Sequence, residues 1–201
     1  MMEKPAKTTH PIHEVIANRW SPRAYDASKP VERRDLHTLL EAARCAPSCF
    51  GDEPWRYIVW DRFEDEASWQ QAFECLVPGN QVWAKNAPIL MIVLADTLFE
   101  YNDTPNRFGQ YDTGAASENL VLQAASLGLA AHQMGGYEPD KARAAFSIPE
   151  RYTCMSMIAV GHPASPDILD DALKAQEIAE RGRKPASSRF FEGTWGSPVK
   201  P

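Results

Sequence analysis

Two short segments in the first quarter of the chain carry side chains suited to binding an anion and a flat polar molecule. In the first, Arg19, Ser21 and Arg23 occupy alternate positions, so an extended backbone would direct all three side chains to one side. Two guanidinium groups and a hydroxyl suit a phosphate joined to a chain of polar oxygens. A solvated cap between two helices is the alternative interpretation of these residues.

The second segment begins with Pro47-Ser48, and Pro54-Trp55 follows six residues after Ser48. Its prolines and glycine predict a loop, and the apolar run that Trp55 opens predicts a buried strand. We interpret Cys49, inside this loop, as a packing residue or pocket wall rather than a nucleophile, because no histidine partner is spaced near it.

Three later places in the sequence offer polar groups or close backbone approach. Asn80 follows Pro78-Gly79 and is either a turn residue or a polar contact. In Gln133-Met134-Gly135-Gly136 the paired glycines either let the backbone approach a flat ring or form a plain tight turn. Arg181 and Arg183 concentrate positive charge late in an acidic chain, as an anion contact or as a solvated tail.

Size, charge and cysteines limit the class of protein. The chain has 201 residues, 44% of them hydrophobic, and a net charge of −6, which predicts one packed core and argues against a nucleic-acid partner. The four cysteines show no metal-ligand spacing, so we expect no metal site and reduced thiols. The longest apolar run, 87–95, is far below the about 20 residues that span a bilayer. We therefore expect a soluble cytoplasmic protein.

The positions of apolar residues predict the elements that hold these segments. We expect Asp112 to cap the strongest helix, Gly128 to close it, and residues 97–109 to form a mobile polar excursion. Helices are predicted at 12–18, 31–45, 63–76, 111–127 and 139–146, and strands at 55–61, 88–95, 129–133 and 155–161. The pattern favours one α+β domain over 1–201, with a flexible N-terminus at 1–10 and an extended C-terminal arm at 182–201.

Taken together, in this order, the motifs resemble the nitroreductase family of FMN-dependent oxidoreductases. The family's usual forms are Arg-x-Ser-x-Arg/Lys and then Pro-Ser-x-x-Asn-x-Gln-Pro-Trp. This chain departs from them with Gly51 in place of the Asn and Glu53 in place of the Gln. The resemblance implies FMN contacts from Arg19, Ser21, Arg23, Pro47, Ser48, Glu53, Asn80, Gln133, Met134, Gly135, Gly136, Arg181 and Arg183.

The resemblance also implies a fold and an activity. The fold is a central mixed or antiparallel sheet flanked by helices, in an intertwined homodimer with two FMN sites. The activity is hydride transfer from NADH or NADPH through flavin N5 to a small acceptor such as a nitroaromatic or a quinone, in a ping-pong cycle without a catalytic side chain. Two alternatives stay open: a dehalogenating or flavin-modifying branch of the fold, with 97–109 as its lid, and an FMN-binding protein without enzymatic activity.

Overall fold

The computed structural model describes residues 4–200. Across these residues the chain forms seven α-helices and four β-strands. The helices are α1 (Glu14–Asn18), α2 (Arg33–Arg44), α3 (Glu66–Phe73), α4 (Pro78–Ala84), α5 (Gly109–Ser126), α6 (Pro139–Ala145) and α7 (Asp171–Ile178). The strands are β1 (Trp55–Asp61), β2 (Ile89–Asp96), β3 (Ala130–Met134) and β4 (Tyr152–Gly161).

The four strands form one antiparallel sheet in the order β1-β2-β4-β3. All eight residues of β2 are buried, as expected for a strand with a neighbour on each edge and helices on each face. Alternate β2 residues enter different cores: Leu90 and Ile92 lie in one, and Ile89 and Met91 in the other.

Helices cover both faces of the sheet. Trp69 of α3, Trp83 of α4 and Ala142 of α6 contribute to one core, while Leu39 of α2 and Leu120 of α5 contribute to the other. This layered arrangement of helices on an antiparallel sheet confirms the predicted α+β class.

Helix α5 begins at Gly109, and the prediction that Asp112 caps it is wrong. The residue at the cap position is Phe108, whose N–H donates to Oδ1 of Asn106 at 3.0 Å. The Asp112 carboxylate instead accepts the N–H of Cys49 at 2.9 Å, so a tertiary contact uses the group that the local pattern assigned to the helix end. Gly128 follows the helix with φ +73°, a conformation that glycine adopts without strain.

Two short helices were missing from the sequence prediction. Helix α4 starts with Pro78 in its first turn, where the absent N–H costs nothing. Asp170 caps α7, its side chain accepting the N–H of Leu173 at 2.8 Å. Each is so short that its apolar periodicity is weak, and only the terminal residues give a signal.

The two ends of the described chain differ. Residues 1–3 of the predicted flexible N-terminus lie outside the described residues, and the N–H of Ala6 donates to the carbonyl oxygen of Ala17 at 2.8 Å. In the C-terminal arm, Trp195 is 89% exposed and its ring packs 4.9 Å from that of Phe191. Within residues 4–200, no helix combines the length and apolar character needed to cross a bilayer.

Candidate functional site

The early Arg-x-Ser-x-Arg segment and the late basic pair meet at one cavity of about 230 Å³, which we call the cationic cavity. It is lined by Lys4, Arg19, Trp20, Ser21, Arg23, Gln176, Arg181 and Arg183. Nη1 of Arg181 donates to the carbonyl oxygens of Lys4 and Ala17, at 2.8 Å each. These bonds fix the late segment against the N-terminal one, although more than 160 residues separate them along the chain.

Positive charge in the cationic cavity exceeds the negative charge beside it. Two carboxylates pair with its five cations: Glu118 lies 3.6 Å from Nε of Arg19, and Glu177 lies 4.0 Å from Nη1 of Arg23. Burial, followed by the neighbouring Arg183 and Arg19, lowers the pKa of Arg181. Cations held this close are stabilised by an anion placed between them, so the cavity is suited to a phosphate group.

The backbone of the Arg19–Arg23 segment is held from behind. Oε1 of Glu177 accepts the N–H groups of Arg23 and Ala24, at 2.8 and 3.2 Å. Nδ1 of His132 lies 2.9 Å from the carbonyl oxygen of Pro22, and its ring packs 4.6 Å from that of Trp83. Burial lowers the pKa of His132 to about 4, so the imidazole is neutral at pH 7.

A second polar place forms where α4 meets the end of β3. Nδ2 of Asn80 donates to the carbonyl oxygen of Gly136 at 2.9 Å. A Cβ atom on Gly136 would lie 2.7 Å from that amide nitrogen and 2.9 Å from Cγ2 of Val77, so a larger residue here would displace the side chains of Asn80 and Val77. A Cβ on Gly135 would have no described atom within 4 Å, so space is open beside its backbone.

The neighbouring predicted residues differ in exposure. The side chain of Gln133 is exposed, whereas that of Met134 is buried in the core beside the sheet. Any ligand contact from Met134 therefore has to come from its backbone.

The 47–54 loop is held in an unusual backbone conformation. Phe50, Gly51 and Glu53 have φ values of 57°, 69° and 48°, which are rare for residues other than glycine. Oγ of Ser48 accepts the N–H of Glu53 at 3.0 Å, and Asp112 fixes the N–H of Cys49. Left-handed backbone maintained by such contacts often marks a functional segment.

The loop is also tied to the 97–109 excursion. The Asp52 carboxylate accepts the N–H of Glu100 at 2.9 Å and Nδ2 of Asn106 at 3.1 Å. Arg56 pairs with Glu100 at 3.7 Å and donates to the carbonyl oxygen of Glu53 at 2.8 Å. The guanidinium of Arg56 thus contacts the backbone of Glu53, with the Glu53 side chain left exposed.

The predicted residues therefore fall into separate groups within one chain. In residues 4–200, no hydrogen bond or ion pair joins Pro47, Ser48 or Glu53 to a residue lining the cationic cavity. The loop leads into β1, at the opposite edge of the sheet from β3. The chain thus brings together the arginines and Ser21, and separately Asn80 with Gly136, but not the loop.

Three residues of this arrangement were missed by the sequence analysis. Lys4 lines the cationic cavity, Glu177 supports it and Asp112 anchors the loop. Lys4 and Glu177 are common surface types with no local motif, so nothing in the sequence marks them. Asp112 is only 5% exposed. An acidic residue among the small residues of this helix is visible in the sequence, but the capping pattern assigned it to the helix end rather than to the loop.

A search of known proteins finds relatives over most of the chain. The model of the nitroreductase family matches residues 16–162. A protein of Methanothermobacter thermautotrophicus, provisionally named NADH dehydrogenase/NAD(P)H nitroreductase, is 36% identical over 157 residues. The match covers 76% of this chain and 78% of that protein.

Solved structures share the fold. One described as an oxidoreductase containing FMN superposes with a TM-score of 0.89 at 33% identity, covering 98% of this chain and 100% of the other. A nitroreductase-type protein of Desulfovibrio desulfuricans, solved in complex with FMN, has a TM-score of 0.71 at 23% identity and covers 94% and 99%. The second comparison supports the fold alone.

Proposed function

Because this chain belongs to the nitroreductase family, we propose that it is an FMN-dependent oxidoreductase that uses NADH or NADPH to reduce a small-molecule acceptor. The observation that carries the proposal is the cationic cavity, where Arg19, Ser21, Arg23, Arg181 and Arg183 meet. When bound, FMN supplies the hydride chemistry, and the protein supplies binding, orientation and electrostatics.

The cationic cavity fits the phosphate end of FMN. Its five cations exceed the nearby carboxylates, and guanidinium groups match phosphate oxygens with two parallel hydrogen bonds. Ser21 offers a hydroxyl beside Arg19, whose Nη1 lies 3.4 Å from Oγ of Ser21. We assign Arg181 and Arg183 to the phosphate, and Ser21 to the polar ribityl chain.

The place formed by Asn80 and Gly136 fits the edge of a flat ring. The open space beside Gly135 lets the backbone N–H groups of this turn approach a ring, and Asn80 adds an amide. We assign Gln133 and the backbone of Met134 to the same edge. Arg19 and Arg23 provide fixed positive charge, which stabilises negative charge gained nearby on reduction.

The separation of the 47–54 loop from the cavity supports a site built by two subunits. We assign Pro47, Ser48 and Glu53 to the FMN site of a partner subunit in a homodimer. The exposed aromatic side chains of the C-terminal arm suit burial against a second copy, because a monomer leaves them in water. The four cysteines are free, in agreement with a place in the reducing cytoplasm.

The reaction is a ping-pong cycle in which NAD(P)H gives up its hydride and leaves as NAD(P)⁺ before the acceptor enters the same place. Nitroaromatics and quinones are the proposed acceptors. The residues around the cavity bind and orient, and no side chain acts as a nucleophile.

Two measurements test the proposal. Chromatography of heat-released cofactor should give FMN, since the chain has no Gly-x-Gly-x-x-Gly for a dinucleotide; FAD as the main species contradicts it. Stopped-flow mixing with NADH and with NADPH should bleach the bound flavin. Bleaching followed by turnover with a nitroaromatic or quinone supports the proposal. Flavin that stays oxidised indicates the non-enzymatic alternative, and turnover only with a halogenated substrate indicates the dehalogenating one.

A further inference from the structure

Glu177 lies beneath the cationic cavity with one carboxylate oxygen bound and the other free. The side chain is 1% exposed. Oε1 accepts two backbone N–H groups, from Arg23 and Ala24. Oε2 has no hydrogen-bond partner among residues 4–200 and lies 4.0 Å from Nη1 of Arg23. A buried carboxylate with a free oxygen is uncommon and calls for an explanation.

Apolar surroundings keep the charge of Glu177 effective. The residue lines a second cavity of about 70 Å³, whose other walls include Trp20, Pro22, Val121 and Leu129. Water and salt screen a charge beside apolar atoms less than they screen a charge in solution. Its negative charge therefore acts on the cations above it, and it raises the pKa of Lys4 against the larger opposing effect of burial.

We propose that Glu177 is a positioning residue with two opposed effects on FMN binding. Its Oε1 holds the Arg19–Arg23 segment in the binding conformation, which favours FMN. Its charge partly neutralises Arg23 and Lys4, which weakens their attraction for the phosphate and opposes reduction of the flavin. The inference rests on the proposed function, because it concerns the same ligand.

Two substitutions separate these effects. Glu177→Gln keeps an oxygen for the N–H groups of Arg23 and Ala24 and removes the charge; Glu177→Leu removes both. At low salt, FMN should bind Glu177→Gln about fivefold more tightly than wild type, as expected for one charge about 10 Å away at an effective dielectric near 20 with partial screening. FMN should bind Glu177→Leu at least about tenfold more weakly than Glu177→Gln, because both variants lack the charge and in Glu177→Leu the buried N–H groups also lose their acceptor.

The measurement is FMN fluorescence quenching on the full chain at several salt concentrations, with the flavin midpoint potential as a second readout. The gain in Glu177→Gln should shrink as salt rises, and its midpoint potential should rise. The control is Glu180→Gln, which removes an exposed carboxylate paired with Lys7 at 2.7 Å and should leave both quantities unchanged.

Each outcome decides between the alternatives. If wild type binds no FMN, the proposed function fails. If wild type binds FMN while Glu177→Gln binds it equally or more weakly, or does not fold, the opposing effect of the charge is refuted. If Glu177→Leu binds FMN as tightly as Glu177→Gln, the holding role is refuted. If Glu177→Leu does not fold, the sign of the change in Glu177→Gln alone decides.

Discussion

In the cationic cavity, charged side chains face an open space and the backbone is held from behind by Glu177 and His132. In the 47–54 loop, the backbone itself has the unusual shape, and Asp112 and Asp52 hold it by hydrogen bonds. The first region thus depends on charge and the second on conformation. Loss of a charge should therefore weaken ligand binding in the first region, and loss of an anchor should lower stability in the second.

Arg23→Ala should have the largest effect. It removes a charge-assisted phosphate contact, which predicts about tenfold to a hundredfold weaker FMN binding, and it leaves Glu177 without its guanidinium. Arg183→Ala should weaken FMN binding less than Arg23→Ala does. Arg183 is exposed, and its Nη1 bonds only the carbonyl oxygen of Gly182. Titration of FMN fluorescence measures both. Arg34→Ala, an exposed residue of α2 outside both the cationic cavity and the 47–54 loop, is the control, and an unchanged dissociation constant for Arg23→Ala would exclude Arg23 from the site.

Asp112→Ala tests the loop. Loss of a bond from a buried carboxylate to the N–H of Cys49 should lower the free energy of unfolding by about 2–3 kcal/mol, a fall in melting temperature of about 4–12 °C. Affinity for inorganic phosphate should not change, whereas affinity for FMN should fall if the loop contacts the ring in the partner's site. Asp167→Ala, an exposed acid paired with Lys174, is the control. Equal losses for phosphate and FMN would mean that the two regions are not independent.

The neutral His132 predicts a pH dependence of stability. Its pKa is lowered to about 4 in the folded chain, against about 6.5 when unfolded, so the unfolded chain binds more protons between these values. The stabilisation is therefore present above pH 6.5 and lost as the pH falls towards 4. From pH 7 to pH 5 the free energy of unfolding should fall by about 2 kcal/mol.

Urea denaturation at several pH values checks this effect. His132→Gln should lack this part of the pH dependence, while His37→Gln, on the exposed face of α2, should retain it. If the free energy of unfolding of His132→Gln changes with pH in parallel with that of wild type, the assignment to His132 is contradicted.

Glu53→Gln should have the smallest effect. The Glu53 carboxylate is exposed, and Arg56 bonds its carbonyl oxygen rather than its side chain. If the loop contacts the partner's flavin, removing this charge should raise the midpoint potential by the equivalent of less than about 1 kcal/mol, because water screens it. Redox titration with Asp65→Asn as control measures the change. A potential that falls or stays constant would remove Glu53 from the site.

Local sequence patterns predicted the features that depend on neighbouring residues: the bounds of a strand, the side that alternate residues share and the end of a helix. The strand at 55–61 was predicted with the bounds that the structure shows, because its apolar run is bounded by turn residues. The alternate spacing of Arg19, Ser21 and Arg23 predicted a shared side, and all three line one cavity. Gly128 ends α5 as expected.

The remainder depends on contacts between distant residues. The sequence gives no sign that Glu177 meets the backbone of Arg23, since 154 residues separate them. Asp112 fitted a capping pattern, but a donor 63 residues earlier uses its carboxylate. Whether the loop reaches a second subunit also lies beyond local patterns, and it remains a prediction.

The long-range bonds that close the cationic cavity set the order in which the protein can mature during synthesis. Lys4 Nζ bonds the carbonyl oxygen of Glu177, 173 residues away, and Arg181 bonds that of Ala17, 164 residues away. The ribosome adds Arg181 after all four strands of the sheet, so a nascent chain can pair its strands before it has an anion site. Loading with cofactor is therefore a late event in biosynthesis, and a chain truncated before α7 would keep the sheet residues but lack three of the eight residues that line the cavity.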